Sequence, residues 1–96
     1  MKGKTKSGFE FNVDERMLED WRVVDAIGMS ESEDPSEQIA GARMLVDLIL
    51  GKDKKRLIDF IAKKNDGYVP ATAMTAAIAE IIKESKELKN SQSSEG

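Results

Sequence analysis

Glu31, Glu33, Asp34 and Glu37 place four carboxylates within one short stretch, the kind of cluster that attracts a divalent cation. A calcium loop alternates its ligands around a Gly that makes the sharp turn. This stretch has neither the spacing nor the Gly, and it reads as a solvated loop that caps a helix. A second concentration of charge is basic. Residues 52–68 hold six Lys or Arg against three Asp, whereas residues 29–51 hold one Arg against five acids. Lys54, Lys55, Arg56, Lys63 and Lys64 are residue types that neutralise phosphates. Between residues 53 and 64, however, Asp53 and Asp59 interrupt the basic run, and no Asn, Gln, Ser or Thr stands there to read base edges. A solvated face is the plainer reading. A small helical DNA-binding regulator using the basic helix 53–64 is the alternative.

Catalysis has few of its usual groups. The chain contains no His and no Cys. That removes the commonest general base, the paired nucleophiles, thiolate metal sites and disulfides. The Gly residues are scattered as helix stops and turns, without a phosphate-cradling pattern. No catalytic, cofactor-binding or metal site is therefore expected, and the chain reads as a binder of another protein.

Ninety-six residues suffice for one domain with a small core. The net charge of −3 argues against nucleic acid as the main partner. The basic start Met1-Lys2-Gly3-Lys4-Thr5-Lys6 has no apolar stretch behind it, so no leader is expected. Met44 to Leu50 is the longest apolar-rich run; Asp47 interrupts it, and it is too short to span a bilayer. These features predict a cytoplasmic protein.

The elements follow from periodicity. Phe9-Glu10-Phe11-Asn12-Val13 alternates as a half-buried strand does, and Ser7-Gly8 marks a turn. Lys4 to Lys6 is the expected partner strand of a hairpin. Asp14 then caps a first helix whose stripe is Met17, Leu18, Trp21, Val24 and Ile27, with Gly28 as its stop. Asp34-Pro35-Ser36-Glu37 opens a second helix with a capping-box pattern. Ile39, Ala42, Leu45, Val46, Leu48 and Ile49 form its face, and Gly51 ends it. Asp53 caps a third helix that buries Leu57, Ile58, Phe60 and Ile61, and Asn65-Asp66-Gly67 breaks it. Pro70 at N1 begins a fourth, with Val69, Met74, Ala77, Ile78, Ile81, Ile82 and Leu88 on its stripe.

The predicted fold is mostly α: an N-terminal β-hairpin followed by a small bundle of about four helices. Residues 1–88 form the domain, and residues 89–96 form a disordered polar tail. Three readings stay open. Trp21 is either a core anchor or an interface hot spot. Met44 and Met74 either fill core gaps or repack against partners. The fourth helix, broad-striped and flanked by alanines, either closes the bundle or offers a groove to a partner helix.

Taken in order, several segments resemble the short form of the tail assembly chaperones of long-tailed bacteriophages. They are Lys6-Ser7-Gly8-Phe9-Glu10-Phe11-Asn12-Val13-Asp14-Glu15, the Trp-bearing helix with Arg22-Val23-Val24-Asp25-Ala26-Ile27, and the Asp34-Pro35 helix start. Leu48-Ile49-Leu50-Gly51 follows, then Asp66-Gly67-Tyr68-Val69-Pro70 leading into Ile78-Ala79-Glu80-Ile81-Ile82 and a Lys-Asn-Ser tail. The similarity spans most of the chain and rests on structural cues, without a catalytic signature.

The resemblance implies a chaperone that binds the tape measure protein, keeps it soluble and helps recruit tail tube subunits. It implies no cofactor. It places the protein in the cytoplasm of the bacterial host and outside the mature virion, as a possible homo-oligomer. It also implies that a longer product can arise by frameshifting. On this reading the expected partner surface is Val69, Met74, Ile78 and Ile82, together with Phe9 and Phe11.

Overall fold

The computed structural model describes residues 1–94, with side chains described through residue 90. It is mostly helical, with an N-terminal antiparallel hairpin. Strands β1 (Lys2–Lys4) and β2 (Glu10–Asn12) pair with Lys2 opposite Asn12, Gly3 opposite Phe11 and Lys4 opposite Glu10.

The alternation expected of β2 holds, since Phe9, Phe11 and Val13 all turn inward and are buried. Its partner strand sits two residues earlier than the expected Lys4 to Lys6. The loop explains the shift. Thr5 N–H donates to the Phe9 carbonyl, Gly8 N–H to the Thr5 carbonyl, and Phe9 N–H to Thr5 Oγ1. Residues 5–9 are thus consumed by a closed loop, and pairing resumes at Lys4. Gly3 leaves room for the ring of Phe11, whose Cζ would lie 2.5 Å from an added Cβ and would have to shift.

Asp14 does cap a helical segment, but a short one. Its carboxylate accepts from Arg16 N–H and opens a 3-10 turn over Glu15–Glu19. Asp20 then leaves helical geometry, accepts from Arg22 N–H and starts α1 (Trp21–Ser30) afresh. That restart changes the phase of the stripe. Leu18 stays buried, but α1 turns Val23 and Ala26 inward, while Trp21 is 80% exposed and Val24 49% exposed. Trp21 is therefore not a core anchor. Nor does Gly28 stop the helix, which continues to Ser30.

Helix α2 (Pro35–Leu45) begins as expected, with Asp34 accepting from Ser36 N–H and Pro35 in the first turn. The capping box is rearranged. Ser32 Oγ donates to Glu37 and accepts from Asp34 N–H, so Ser32 bridges the two ends. Gly41 lies against α1 so closely that a Cβ would meet Ser30 N at 2.5 Å. The Gly51 stop is also displaced by the structure. A π-helical turn over Val46–Leu50 and a 3-10 turn over Gly51–Asp53 carry the path straight into α3 (Lys54–Lys64). The wider turn buries Val46, Ile49 and Leu50 together. Asp53 makes no side-chain cap; it faces Arg56 at 3.8 Å instead.

Helix α3 buries Leu57 and Ile61, and Phe60 meets Phe9 edge-on at 5.4 Å. Asn65-Asp66-Gly67 ends it as expected, with Gly67 N–H donating to the Ala62 carbonyl at φ +88°. Helix α4 (Ala71–Ser94) starts one residue later than expected. Pro70 stands before it, and its carbonyl accepts from Ala73 and Met74 N–H. Ile78, Ile81, Ile82 and Ser85 form the buried face of α4, which packs on α2, β1 and α3.

The polar segment expected to leave the domain at Lys89 is helical backbone through Ser94. Adding residues to an existing helix is easy, and this segment holds neither Pro nor Gly before Gly96. Lys89 also pairs with Glu19 at 3.0 Å. Residues 95 and 96 of the expected tail lie outside the described residues.

The caps give the fold an acid-sensitive component. The Arg22 side chain bonded to Asp20 lowers that carboxyl from 3.8 to about 2. Arg16 lowers Asp14 and Ser36 lowers Asp34 by the same kind of hydrogen bond. A carboxyl depressed in the folded state stabilises fully above its unfolded pKa and loses that contribution as pH falls through the folded one. The thermal midpoint should therefore drop between pH values of about 4 and 2. Asp20→Asn, which keeps a capping oxygen without the charge, should flatten part of that drop in a melting series.

Candidate protein-binding surface

Helices α2 and α4 cross with small residues facing each other, and the crossing leaves space. On α2, Pro35, Gln38, Ile39, Ala42 and Arg43 recur at helical spacing on one face, which Val46 of the π-helical turn continues. On α4 the matching face carries Ala71, Thr72, Met74, Thr75, Ala76 and Ala79. Three adjoining depressions open between these helices, with volumes of about 200, 350 and 290 Å³. All three are lined in part by Thr75, and together they make up the grooved region around that residue, the concavity. The third reaches α1 at Ile27 and Ser30, is floored by Leu45, Ile78 and Ile82, and ends at Lys83 and Lys86.

The lining is mostly apolar, with cations toward both ends and Glu31 in the same depression as Lys83 and Lys86. Ile39 is 45% exposed, a large apolar side chain left in water beside the depression. Thr75 makes little polar demand, because its Oγ1 already donates to the Ala71 carbonyl at 3.0 Å. Arg43 and Lys54 stand at the α4 N-terminal end, and Lys83 and Lys86 at the other.

The six residues expected to form a partner surface divide between two places. Met74, Ile78 and Ile82 share this concavity. Only Met74 is partly open; Ile78 and Ile82 are buried floor. Val69 is half-buried against the core ahead of α4. Phe9 and Phe11 are buried beneath the hairpin and away from the concavity, where they join the core. In this conformation Phe9 and Phe11 do not present a surface to a partner. Their alternation belongs to a strand that docks inward.

Ile39, Thr75, Ala79 and the basic ends were not among the expected site residues. The alanines flanking the α4 stripe were the available signal. Periodicity alone assigns Ile39 to the buried face of α2, and the crossing angle that exposes it has no local signature.

Trp21, Val24 and Gly28 make a second exposed strip on α1. Gly28 there has nothing within 4 Å of an added Cβ. Trp21→Ala is expected to change stability by less than about 1 kcal/mol, as for other exposed positions. The wild-type emission maximum should lie where a solvated indole emits. Denaturation curves and a fluorescence spectrum check both.

The basic helix is partly turned to structural use. Arg56 donates to the Glu10 carbonyl at 2.7 Å and lies 4.5 Å from the Phe9 ring centre. Lys64 donates to the Ser7 carbonyl and sits 4.7 Å from the Phe60 ring centre. Lys54 pairs with Asp47 at 3.0 Å. These cations clamp the hairpin and the α2–α3 junction. Of the acidic cluster, Asp34 caps α2 and Glu37 holds Ser32. Among the described residues no group of three or more carboxylates converges as a metal site. No described helix is long and apolar enough to cross a membrane.

No protein-family model matches this chain, and neither does any curated protein or solved structure.

Proposed function

We propose that the chain is a tail assembly chaperone. It receives a helical segment of the tape measure protein in the concavity around Thr75, keeps that protein soluble and helps bring tail tube subunits onto it. The observation that carries the helix-binding part is the concavity itself, with an apolar lining, an exposed Ile39 and an adaptable Met74. The named partner comes from the ordered resemblance of the hairpin, the Asp34-Pro35 start and the Asp66–Pro70 segment to that family. Action in the host cytoplasm, and absence from the finished virion, belong to the same proposal.

The test is co-expression with fragments of a tape measure protein. The wild-type chain should keep a helical fragment soluble and co-purify with it. Ala79→Glu puts a charge into two of the three depressions from an exposed helical position. It should abolish co-purification while the thermal midpoint stays unchanged. A wild-type chain that leaves every fragment insoluble refutes the proposal. DNA retardation at low salt, lost on neutralising Lys54, Lys55 and Arg56, would favour the DNA-binding regulator instead.

A further inference from the structure

The charges around the concavity specify what kind of helix it holds. The side chains of Arg43, Lys83 and Lys86 make no ion pair or hydrogen bond among the described residues. Lys54 adds a fourth cation, shared with Asp47. Glu31 is the one acid among the residues lining the three depressions. The first turn of α4 carries no acidic residue, so the positive end of its dipole adds to Arg43 and Lys54. The chain as a whole is at −3 and repels acids at long range. Any attraction this rim exerts on a negatively charged partner therefore acts at short range.

The two basic ends are set apart by the length of α4 between them. From Ala71 to Lys83 or Lys86 the helix rises about 18–23 Å at 1.5 Å per residue. A partner helix lying along the concavity covers that distance with about 12–15 residues, three to four turns. Its buried face needs an apolar stripe at helical spacing, to meet Ile39, Met74, Thr75 and Ala79.

We propose, resting on the helix-binding reading above, that the concavity selects amphipathic helices of three to four turns that carry acidic residues at both ends of an apolar stripe. The acids at one end meet Arg43 and Lys54, and those at the other meet Lys83 and Lys86. The apolar lining supplies adhesion, and the two ends set which helices are accepted and how far along they sit.

Three synthetic peptides with one apolar stripe and Glu, Gln or Lys at the flanking positions test this against the full chain by fluorescence anisotropy. The Glu-flanked peptide should bind about tenfold more tightly than the Gln-flanked one at low salt, with the gap narrowing as salt rises. The Lys-flanked peptide should bind most weakly. The double variant Lys83→Glu, Lys86→Glu, checked by circular dichroism for unchanged helix content, should erase most of the Glu advantage. Equal binding by all three peptides, each weakened by Ala79→Glu, overturns the charge selection and leaves the helix-binding reading standing. Binding by none of them overturns both.

Discussion

Gly41→Leu is expected to remove at least about 3 kcal/mol of stability, the upper range for overpacking a core. A side chain at this position meets backbone, with Ser30 N at 2.5 Å, Ala26 O at 2.8 Å and Met29 C at 2.9 Å from the Cβ. No rotamer change relieves such a contact. Helix α1 has to move off α2, which loosens Val23, Ala26 and Leu45 together. A domain of this size holds only about 5–14 kcal/mol in total. The urea midpoint should fall steeply, while the slope of the transition stays the same if the variant still folds. Gly28→Ala in the neighbouring turn is the contrast. Its Cβ enters open space, and the gain in helix propensity should raise stability by up to about 1 kcal/mol. Two glycines of adjacent helices should thus respond in opposite directions.

Phe9→Ala should cost about 3–5 kcal/mol, the range for removing a buried aromatic ring. Phe9 lies between Phe60, edge-on at 5.4 Å, and the Arg56 guanidinium at 4.5 Å. Its loss removes the ring contact between α3 and the hairpin and leaves only the Arg56 and Lys64 hydrogen bonds to the Glu10 and Ser7 carbonyls. The result also sorts Phe9 between two roles. A core residue lowers the thermal midpoint when truncated. An interface residue would leave the midpoint alone and weaken partner capture, and that outcome would move the binding surface to the hairpin.

Signals that act locally are legible in the sequence. Asp14, Asp34, Pro35 and Gly67 act within a few residues of themselves, and each does what its type suggests. Errors arose where a local choice had distant effects. Asp20 looked like an ordinary polar position within one long helix. Because it restarts the helix, every later side chain of α1 rotates, and Trp21 turns outward. Thr5 likewise closes a loop over residues that the local pattern leaves free to pair. At the candidate site, periodicity found Met74, Ile78 and Ile82. It could not separate buried floor from exposed rim, because that depends on how α2 crosses α4. Ile39 and the unpaired cations became visible only once the two helices were placed.

The hairpin is held in place by groups from far along the chain. Arg56 reaches Glu10, Lys64 reaches Ser7, and Lys6 N–H donates to the Glu80 carboxylate. Helix α4 passes beneath β1, where Leu88 approaches Gly3. A two-stranded ribbon is marginal by itself. The strands are translated before the helices that support them, so they have no surface to dock on until α4 exists. Helices α1 and α2, by contrast, are close in sequence and can pair as soon as both are made. Assembly should therefore proceed from the middle outward, with Phe9 and Phe11 exposed longest on the nascent chain. The hairpin then closes as the last step, joining one end of the sequence to the other.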